Sequence, residues 1–326
     1  MQRGLHHSPT VDVYGWHYPP PFLFVAMGIA VLPYIPGLIA WQAATLGPFT
    51  WTVTRVTGWR DAWMFVLGAP ITLICVTHGH NGFLTGLLLG GGLMLLEKRA
   101  FVAGLLLGGL VYKPQFALVI PPLLLITWNW RAILGAALSS LGLIGLTIAA
   151  WGWPVWQAFL DSLSLTRHVV IEQGNTGWHK IVSAFSMVRC WGGSIGFAYA
   201  VQGAVTIGAV ATTLWLARTA RPALRNAGVC AAVLLSTPYV LDYDFVLLGL
   251  GVAWLWRDGD EHGFGRHEPL LLGLVWIAPL VARQVAELTL FPLGWLSAVT
   301  VLALAVVRSL AVRASPSRRS HGSSAP

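Results

Sequence analysis

Long apolar stretches recur along nearly the whole chain, separated by short polar segments. Of the 326 residues, 56% are apolar and only 10% are charged, whereas soluble domains carry about 25% charged residues. A surface with so few charges cannot face water over most of its area, so most of the exterior must face lipid. The sequence therefore predicts an all-α fold, a polytopic transmembrane bundle of about 9–11 helices, several of them short or broken.

The domain organisation follows from the same pattern. No soluble domain flanks the apolar stretches, which predicts a single integral-membrane domain over residues 1–310 and a basic, disordered tail over 311–326. Residues 153–192 form the longest polar connection. The net charge of +8 does not indicate nucleic-acid binding, because the basic residues are spread along the chain between the apolar stretches.

The basic residues predict the orientation of the chain. If the arginine-rich connections and the tail are cytoplasmic, 14 Lys and Arg residues lie inside and six lie outside, in accord with the positive-inside rule. This threading requires residues 100–127 to cross the membrane twice, since a single pass would place the arginines of 218–225 outside. The first predicted helix then begins on the outer face near residue 22, so we expect that an N-terminal helix is missing from this sequence.

The connections predicted on the outer face carry ionisable and amide side chains beside apolar sequence. Such groups are costly at the membrane and mark functional sites. Each has a structural alternative. Lys113 can extend to the membrane interface, and Asp242 or Asp244 can cap the helix that follows. His78 and His80 are two residues apart, which favours interfacial hydrogen bonding over a metal pair.

The segment 153–192 is long for a plain connection. Trp156, Phe159, Leu160 and Leu163 fall on one face of a helix over 155–165, which predicts an amphipathic helix lying on the membrane. Cationic and acidic residues follow it. This composition is typical of a lid over a site, where cations hold a phosphate and a carboxylate or imidazole takes a proton; a plain connection is the alternative.

Five spaced motifs carry many of these residues: Tyr18-Pro19-Pro20-Pro21-Phe22, Gly79-His80-Asn81-Gly82, Tyr112-Lys113-Pro114-Gln115, Glu172-Gln173 with Gly177-Trp178-His179-Lys180, and Thr237-Pro238-Tyr239-Val240-Leu241-Asp242-Tyr243-Asp244. In this order they resemble bacterial glycosyltransferase family 87, over about residues 15–257. The resemblance implies a class C glycosyltransferase-like fold. It also implies transfer of a hexose from a polyprenyl-phosphate donor to an acceptor on the non-cytoplasmic side, without a nucleotide sugar. Two positions depart from the family pattern: His80 stands where members usually carry Gln, and Asp12 does not match the early aspartate taken as the general base.

Together, the residues and the resemblance predict a membrane hexosyltransferase, with mannose as one candidate sugar, in the bacterial plasma membrane. Its site would face the periplasm and its C-terminus the cytoplasm. The predicted catalytic residues are Asp244, Asp242, Glu172 and His179. The residues predicted to bind the donor phosphate and sugar are Lys113, Gln115, Lys180, Arg167, His168, Gln173, Asn81, His80 and Tyr18.

The predicted partners are membrane lipid, a polyprenyl-phosphate hexose donor and a lipid or glycan acceptor, with no nucleic acid. Ligand spacing predicts no metal site, although a divalent cation stays open as a cofactor. The alternatives are a polytopic transporter or flippase of lipid-linked sugars and an inactive, N-terminally truncated fragment.

Overall fold

The computed structural model describes residues 16–314 of the chain. This part is all α, with no strand beyond one isolated antiparallel bridge between Ile181 and Leu241. The predicted fold class is confirmed. The α-helices are α1 (Phe22–Ala30), α2 (Tyr34–Thr57), α3 (Ala62–Leu67), α4 (Pro70–His78), α5 (Gly82–Leu95), α6 (Ala100–Gly108), α7 (Ile120–Ile126), α8 (Trp130–Trp151), α9 (Pro154–Leu165), α10 (Ala184–Cys190), α11 (Ile195–Thr219), α12 (Pro222–Leu235), α13 (Val246–His262), α14 (Glu268–Ile277), α15 (Ala282–Thr289) and α16 (Leu293–Ala314).

Short 3-10 turns and one π-helical segment lie between the α-helices. Most of them contain or adjoin the candidate site residues. Pro114 and Pro121 lack the backbone N–H that an α-helix needs, so the segment between α6 and α7 cannot continue as one helix. The 3-10 turns are Gly109–Tyr112, Pro114–Leu118, Trp178–Lys180, Asp242–Phe245 and Ala278–Leu280, and Thr166–Glu172 is π-helical.

The centre of the bundle is built from α5, α12 and α13. All residues of α12 from Leu224 to Leu235 are buried, as are most of α13. Glycine permits the closest approaches: a Cβ at Gly86 of α5 would lie 2.6 Å from the ring of Phe49, and one at Gly104 of α6 would lie 2.1 Å from a backbone oxygen of α8. These helices therefore pack at small residues, as membrane helices commonly do.

Within residues 16–314, three helices are each long and apolar enough to span a membrane: α8 and α11 over their full lengths, and Leu293–Arg313 of α16. A fourth candidate is a bent pair, Glu268–Leu280 with Ala282–Thr289, whose halves differ in direction by 76°. Leu134, Leu138 and Leu141 on α8 are about two-thirds exposed, which is expected where lipid replaces water as the solvent. The chain is thus a polytopic membrane protein; the number of crossings stays a prediction.

The chain breaks gather at one end of the bundle. Residues 100–127 turn back at Lys113, since the side chain of Asn129 donates to the carbonyl of Leu96 (3.3 Å) beside the start of α6. This geometry agrees with the two-pass threading. We call the end that holds Lys113 and Asp244 the site end, and the end that holds Asp258 and Arg308 the arginine end. Asp244 and Asp258 are 14 residues apart along α13 and its preceding turn, or about 21 Å.

The structure also bears on the predicted amphipathic helix and on the predicted end of the membrane domain. A helix at Pro154–Leu165 overlaps the amphipathic segment predicted at 155–165. Helix α16 continues to Ala314, four residues past the predicted domain boundary at 310. The remaining tail residues, the N-terminal stretch and Asp12 lie outside the described residues.

Candidate functional site

A buried ion pair lies at the centre of the site end. The ammonium of Lys113 donates to Oδ1 of Asp244, and the two side chains are 2% and 5% exposed. Lys113 stands between two 3-10 turns and Asp244 lies in the turn before α13, so breaks in both helical segments bring charge into apolar surroundings. The backbone N–H of Leu241 also donates to Asp244 (3.4 Å). Because a buried charge is costly unless paired, each residue holds the other in place.

Aromatic rings surround this ion pair. Nζ of Lys113 lies 4.9 Å from the ring centroid of Tyr243. The imidazole of His80 stacks on the same tyrosine ring, and the two ring centroids are 4.2 Å apart. The hydroxyls of Tyr18 and Tyr243 are 3.4 Å apart. Burial lowers the pKa of His80 below its usual 6.5, so its ring is uncharged at neutral pH.

A cavity of about 590 Å³ opens above these rings, within the range of small-molecule sites. We call it the cation cavity, because four basic residues line it. Helix α9 closes one side with Phe159 and Leu163, so part of the predicted lid segment does cover the cavity. Its other polar and aromatic lining residues are Trp16, His17, Tyr18, His78, His80, Tyr112, Lys113, Gln115, Thr166, Arg167, Thr176, Lys180, Tyr239, Asp242, Tyr243 and Arg283.

The four basic residues differ in how they are neutralised. Lys113 is paired with Asp244, and Nε of Arg167 donates to Glu172 at 2.7 Å. Lys180 and Arg283 contact no carboxylate among residues 16–314. Two cations of the cavity are therefore unpaired within the described residues. The carboxylate of Asp242 also lines the cavity, which leaves one positive charge in excess and favours an anionic ligand.

Glu172 is engaged on several sides and does not line the cation cavity. It accepts hydrogen bonds from Arg167, from Nδ1 of His168 (3.3 Å) and from the hydroxyl of Tyr199 (3.2 Å). The hydrogen bond from Arg167 is the main reason that the pKa of Glu172 lies below its usual value. In the same cluster, Nε2 of Gln173 lies 3.0 Å from Nε2 of His168. Glu172 is therefore poorly placed to accept a substrate proton, and its cluster serves better to position Arg167.

A second cavity, of about 340 Å³, lies on the opposite side of the same wall. We call it the tryptophan cavity, after Trp178 and Trp295, and His179 also lines it. Its wall shares His78, Lys180, Asp242 and Arg283 with the cation cavity.

Asp242 is the one carboxylate that lines both of these cavities. It is half-buried, and its Oδ1 accepts a hydrogen bond from the backbone N–H of Tyr243 (2.9 Å). This bond comes from the adjacent residue of the same turn, whereas the capping hydrogen bond that the structural alternative expects is accepted by Asp244, from the backbone N–H of Leu241. No cation within the described part of the chain forms an ion pair with Asp242, so its second oxygen stays open to a ligand.

Asn81 lies deeper. It is 3% exposed, and neither its amide oxygen nor its amide nitrogen finds a hydrogen-bond partner among the described residues. It lines a third cavity, of about 620 Å³, together with Tyr18, Trp41 and His80. A buried amide without partners is unfavourable, so this position suits a ligand that carries hydroxyl groups.

Within residues 16–314, no three His, Cys, Asp or Glu side chains come close enough to hold a metal ion. The rings of His78 and His80 stack on each other, with centroids 5.5 Å apart and planes inclined by 10°. Stacked rings do not converge on one point as metal ligands do.

The structure brings seven of the predicted site residues to the cation cavity and leaves six away from it. Those at the cavity are Tyr18, His80, Lys113, Gln115, Arg167, Lys180 and Asp242. Of the others, His179 lines the tryptophan cavity, Asn81 the third cavity, Asp244 lies beneath in its ion pair, and His168, Glu172 and Gln173 form the cluster around Glu172.

Sequence reasoning missed Arg283, His17 and Tyr239, all of which line the cation cavity. For Arg283 a signal was present, because it is the one basic residue of the predicted outer connection 283–287. His17 and Tyr239 adjoin recognised motifs, and the imidazole of His17 hydrogen-bonds Thr166 at 2.9 Å.

The family model of glycosyltransferase family 87 matches residues 16–238. The chain belongs to glycosyltransferase family 87. The match covers more than two-thirds of the chain and includes the elements that carry His80, Lys113 and Lys180, while Asp242, Asp244 and Arg283 lie beyond it. Neither a curated protein nor a solved structure matches the chain. Family membership and the apolar helices together indicate a membrane glycosyltransferase.

Proposed function

We propose that the protein is a hexosyltransferase that takes a hexose from a polyprenyl-phosphate donor and transfers it to a lipid or glycan acceptor. Mannose is one candidate sugar. The proposal places the site end on the periplasmic face of a bacterial plasma membrane and the arginine end, with the C-terminus, in the cytoplasm. One observation carries it: a cation cavity with Lys180 and Arg283 unneutralised shares Asp242 with a second cavity.

The cation cavity suits the donor. Its two unpaired cations suit a phosphate, because an anion without partners is very costly to bury. Lys180 and Arg283 supply charge, and the part of the Arg167 guanidinium not bound to Glu172 is exposed and free to donate. Gln115 and the unpartnered amide of Asn81 suit sugar hydroxyls, and aromatic rings such as Tyr18 suit the apolar face of a sugar.

The tryptophan cavity suits the acceptor, because a transferase must bring two substrates to one reaction centre. In the proposed step, the acceptor hydroxyl oxygen bonds to the anomeric carbon while the bond from that carbon to the phosphate oxygen breaks. Polyprenyl phosphate leaves with the bonding electron pair, and the hydroxyl proton passes to a carboxylate.

Asp242 is the carboxylate best placed for that proton, since it borders both cavities. The other predicted bases are less available: Lys113 occupies Asp244, Arg167 occupies Glu172, and His179 faces only the tryptophan cavity. Asp244 acts in the proposal as the partner that holds Lys113 in position.

The position of the polar groups favours an enzyme over a transporter. Transport sites lie near the middle of the membrane, where both faces gain access in turn. Here the candidate residues gather at one end of the bundle, at the chain breaks, while the middle of α12 and α13 is packed with apolar side chains.

The test is a transfer assay with bacterial membranes that contain the protein. Polyprenyl phosphates carrying labelled mannose, glucose or galactose are supplied, and transfer of label to endogenous lipid or glycan is measured. We expect transfer from one polyprenyl-phosphate hexose and none from the matching nucleotide sugar. The proposal is overturned if label is transferred only from the nucleotide sugar, or if none of the donors supports transfer. Membranes that lack the protein are the control for endogenous transferases.

A further inference from the structure

One corner of the arginine end carries exposed cations and exposed tryptophans together. We call it the basic corner and define it by Lys98, Arg99, Trp128, Trp130 and Arg131, all of which are exposed. The two indoles are 69% and 54% exposed, and their ring centroids are 5.2 Å apart. The corner lines none of the cavities at the site end.

Packing between α6 and α8 brings the two segments of the corner together. The side-chain amide of Asn129 donates to the carbonyl of Leu96 (3.3 Å), which joins the turn before α8 to the turn before α6. The helices then touch at Gly104, where a Cβ would lie 2.1 Å from the carbonyl oxygen of Ala132. Every residue of the basic corner lies within three positions of Leu96 or Asn129, so the five side chains are neighbours on one surface.

The cations of the corner have no anionic partner in the described part of the chain. Glu97 is the carboxylate next to them in sequence, and it is bound by Arg225 (2.6 Å). That ion pair also places the corner at the arginine end, because Arg225 is one helical turn from Arg221, which binds Asp258. Three positive charges are therefore exposed beside one another, and they favour an anionic partner.

The corner lies where α8 meets the edge of the membrane. Helix α8 is long and apolar enough to span a bilayer, and Leu134, Leu138 and Leu141 form an exposed apolar stripe along it. Arg131 precedes this stripe at the same helical spacing, so it lies at the end of the surface that faces lipid. Tryptophans are enriched at this level of a membrane protein.

The two ends of α8 differ in charge. Trp151 and Trp153 lie at its other end, so tryptophans alone are explained by ordinary contact with both interfaces. No lysine or arginine occurs from residue 132 to residue 166, whereas three cations lie at the basic corner. Only this end of α8 therefore combines interfacial rings with charge that attracts anionic lipid.

The backbone of Trp128 is strained. Its φ is +48°, in the left-handed region that bulky residues rarely adopt. Such conformations are costly, and they concentrate at positions that bind ligands. Here the strained residue is also the more exposed of the two tryptophans, so the conformation holds an indole at the surface rather than in the core.

We propose that the basic corner binds the headgroup phosphate of an anionic phospholipid in the leaflet at the arginine end. Lys98, Arg99 and Arg131 supply the charge, and the two indoles lie beside the glycerol region. An open surface is sufficient for this ligand, because the bilayer presents it at high local concentration. The inference does not depend on the proposed reaction.

The experiment is native mass spectrometry of the purified full chain in detergent, titrated with phosphatidylglycerol or with phosphatidylcholine of the same acyl chains. The corner variant is Lys98→Gln/Arg99→Gln/Arg131→Gln. The matched control is Arg60→Gln/Arg218→Gln/Arg266→Gln, which removes three exposed cations from three separate segments and changes the net charge equally. Thermal unfolding of both variants shows whether they remain folded, and Arg99→Gln alone is a milder version of the corner variant.

We expect the wild type to bind phosphatidylglycerol more tightly than phosphatidylcholine. Each cation beside an anionic headgroup contributes about fivefold in affinity. Arg99→Gln should therefore weaken phosphatidylglycerol binding about fivefold and the corner variant about 100-fold, whereas the control should change it less than about threefold.

Three results would overturn the inference. Equal affinity of the wild type for the two lipids would show that the headgroup charge is not recognised. Equal loss in the corner variant and the control, or no loss in either, would show that the basic corner is not the site. Displacement of phosphatidylglycerol by an equal concentration of inorganic phosphate would show that the surface binds free phosphate rather than lipid. Sugar transfer is not measured, so this test can fail or succeed independently of the proposed function.

Discussion

The two ends of the bundle both hold buried charge, but they neutralise it differently. At the arginine end, Asp258 is fully buried and accepts from Arg221 (2.7 Å) and Arg308 (2.8 Å), and Arg308 also donates to Glu268 and to the carbonyl of Gly263. At the site end, one ion pair is buried while Lys180, Arg283 and Asp242 line a cavity without forming an ion pair among the residues described.

The paired charges at the arginine end stabilise the fold, whereas the unpaired charges at the site end are available to bind a ligand. A network in which every carboxylate is paired with a guanidinium group leaves no charge for a ligand and fixes the helices that carry it. Unmatched charges beside a cavity gain their partners only when a ligand binds. The comparison therefore predicts that substitutions at the arginine end reduce stability, whereas substitutions around the cation cavity reduce activity.

The largest expected effect is on turnover in Asp242→Asn. The amide cannot accept the hydroxyl proton, so we expect sugar transfer to fall by about 100- to 10,000-fold, with unchanged thermal unfolding because Asp242 stabilises no cation. The readout is the initial rate of label transfer from the polyprenyl-phosphate donor.

Asp161→Asn is the matched control for this prediction. Asp161 is an exposed carboxylate on α9 that lines none of the cavities, so its loss should leave transfer unchanged. Wild-type transfer by Asp242→Asn would contradict the assignment of the base.

The next effect is on stability, at the arginine end. Asp258→Asn leaves Arg308 and Arg221 without their shared buried partner, and we expect it to destabilise the protein by about 3–5 kcal/mol. The readout is unfolding of the purified protein in detergent. Turnover per folded molecule should stay at the wild-type level, because Asp258 is about 21 Å from Asp244 along α13.

Glu261→Gln is the control for Asp258. It breaks the ion pair of Glu261 with Arg257, one helical turn away on α13 and exposed to solvent, which should cost less than about 1 kcal/mol. If both variants unfold alike, the matched network at the arginine end contributes no more than an exposed pair.

A smaller effect is expected on donor affinity in Arg283→Gln. Loss of one charge-assisted hydrogen bond to the donor phosphate should raise the donor KM about tenfold and change kcat little. Arg266→Gln removes an exposed arginine at the other end of the bundle and should change neither constant. An effect on kcat alone would show that Arg283 does not bind the ground-state donor.

Sequence alone was sufficient for the features that depend on local composition. Apolar stretches predict helices, and the distribution of basic residues predicts that residues 100–127 reverse direction rather than form one helix. The assignment of the connections to the two faces of the membrane stays a prediction. The same reasoning placed Lys113 and Asp242 among the candidates, because charged residues beside apolar sequence are rare without a function.

The partners of these residues were not predictable, because they come from distant parts of the chain. Lys113 and Asp244 are 131 residues apart, and no local pattern specifies that they meet. Nor does composition show that Glu172 is occupied by Arg167 while Asp242 faces two cavities. Arg283 was not predicted as a site residue, because its position depends on the 76° bend between α14 and α15. This bend sets the direction of α15, the helix that carries Arg283.

The smallest effect is expected for His80→Gln, and it appears only at acidic pH. Burial lowers the pKa of His80 below 6.5, so both side chains are neutral above that value and the ratio of the two transfer rates should be constant there. As the pH falls below 6.5, unfolded His80 is protonated first, and the stabilisation that the neutral, stacked ring contributes is lost down to the folded pKa. Protonation then places a positive charge beside Lys113 and His78, which repel it and disturb the packing of His80. We expect the wild type to lose a few-fold more activity than His80→Gln as the pH is lowered from 6.5 through the folded pKa of His80. Parallel pH profiles for the two proteins would show that His80 does not titrate in this range, and the stacking of His80 on Tyr243 would then have no part in the acid sensitivity of the site end.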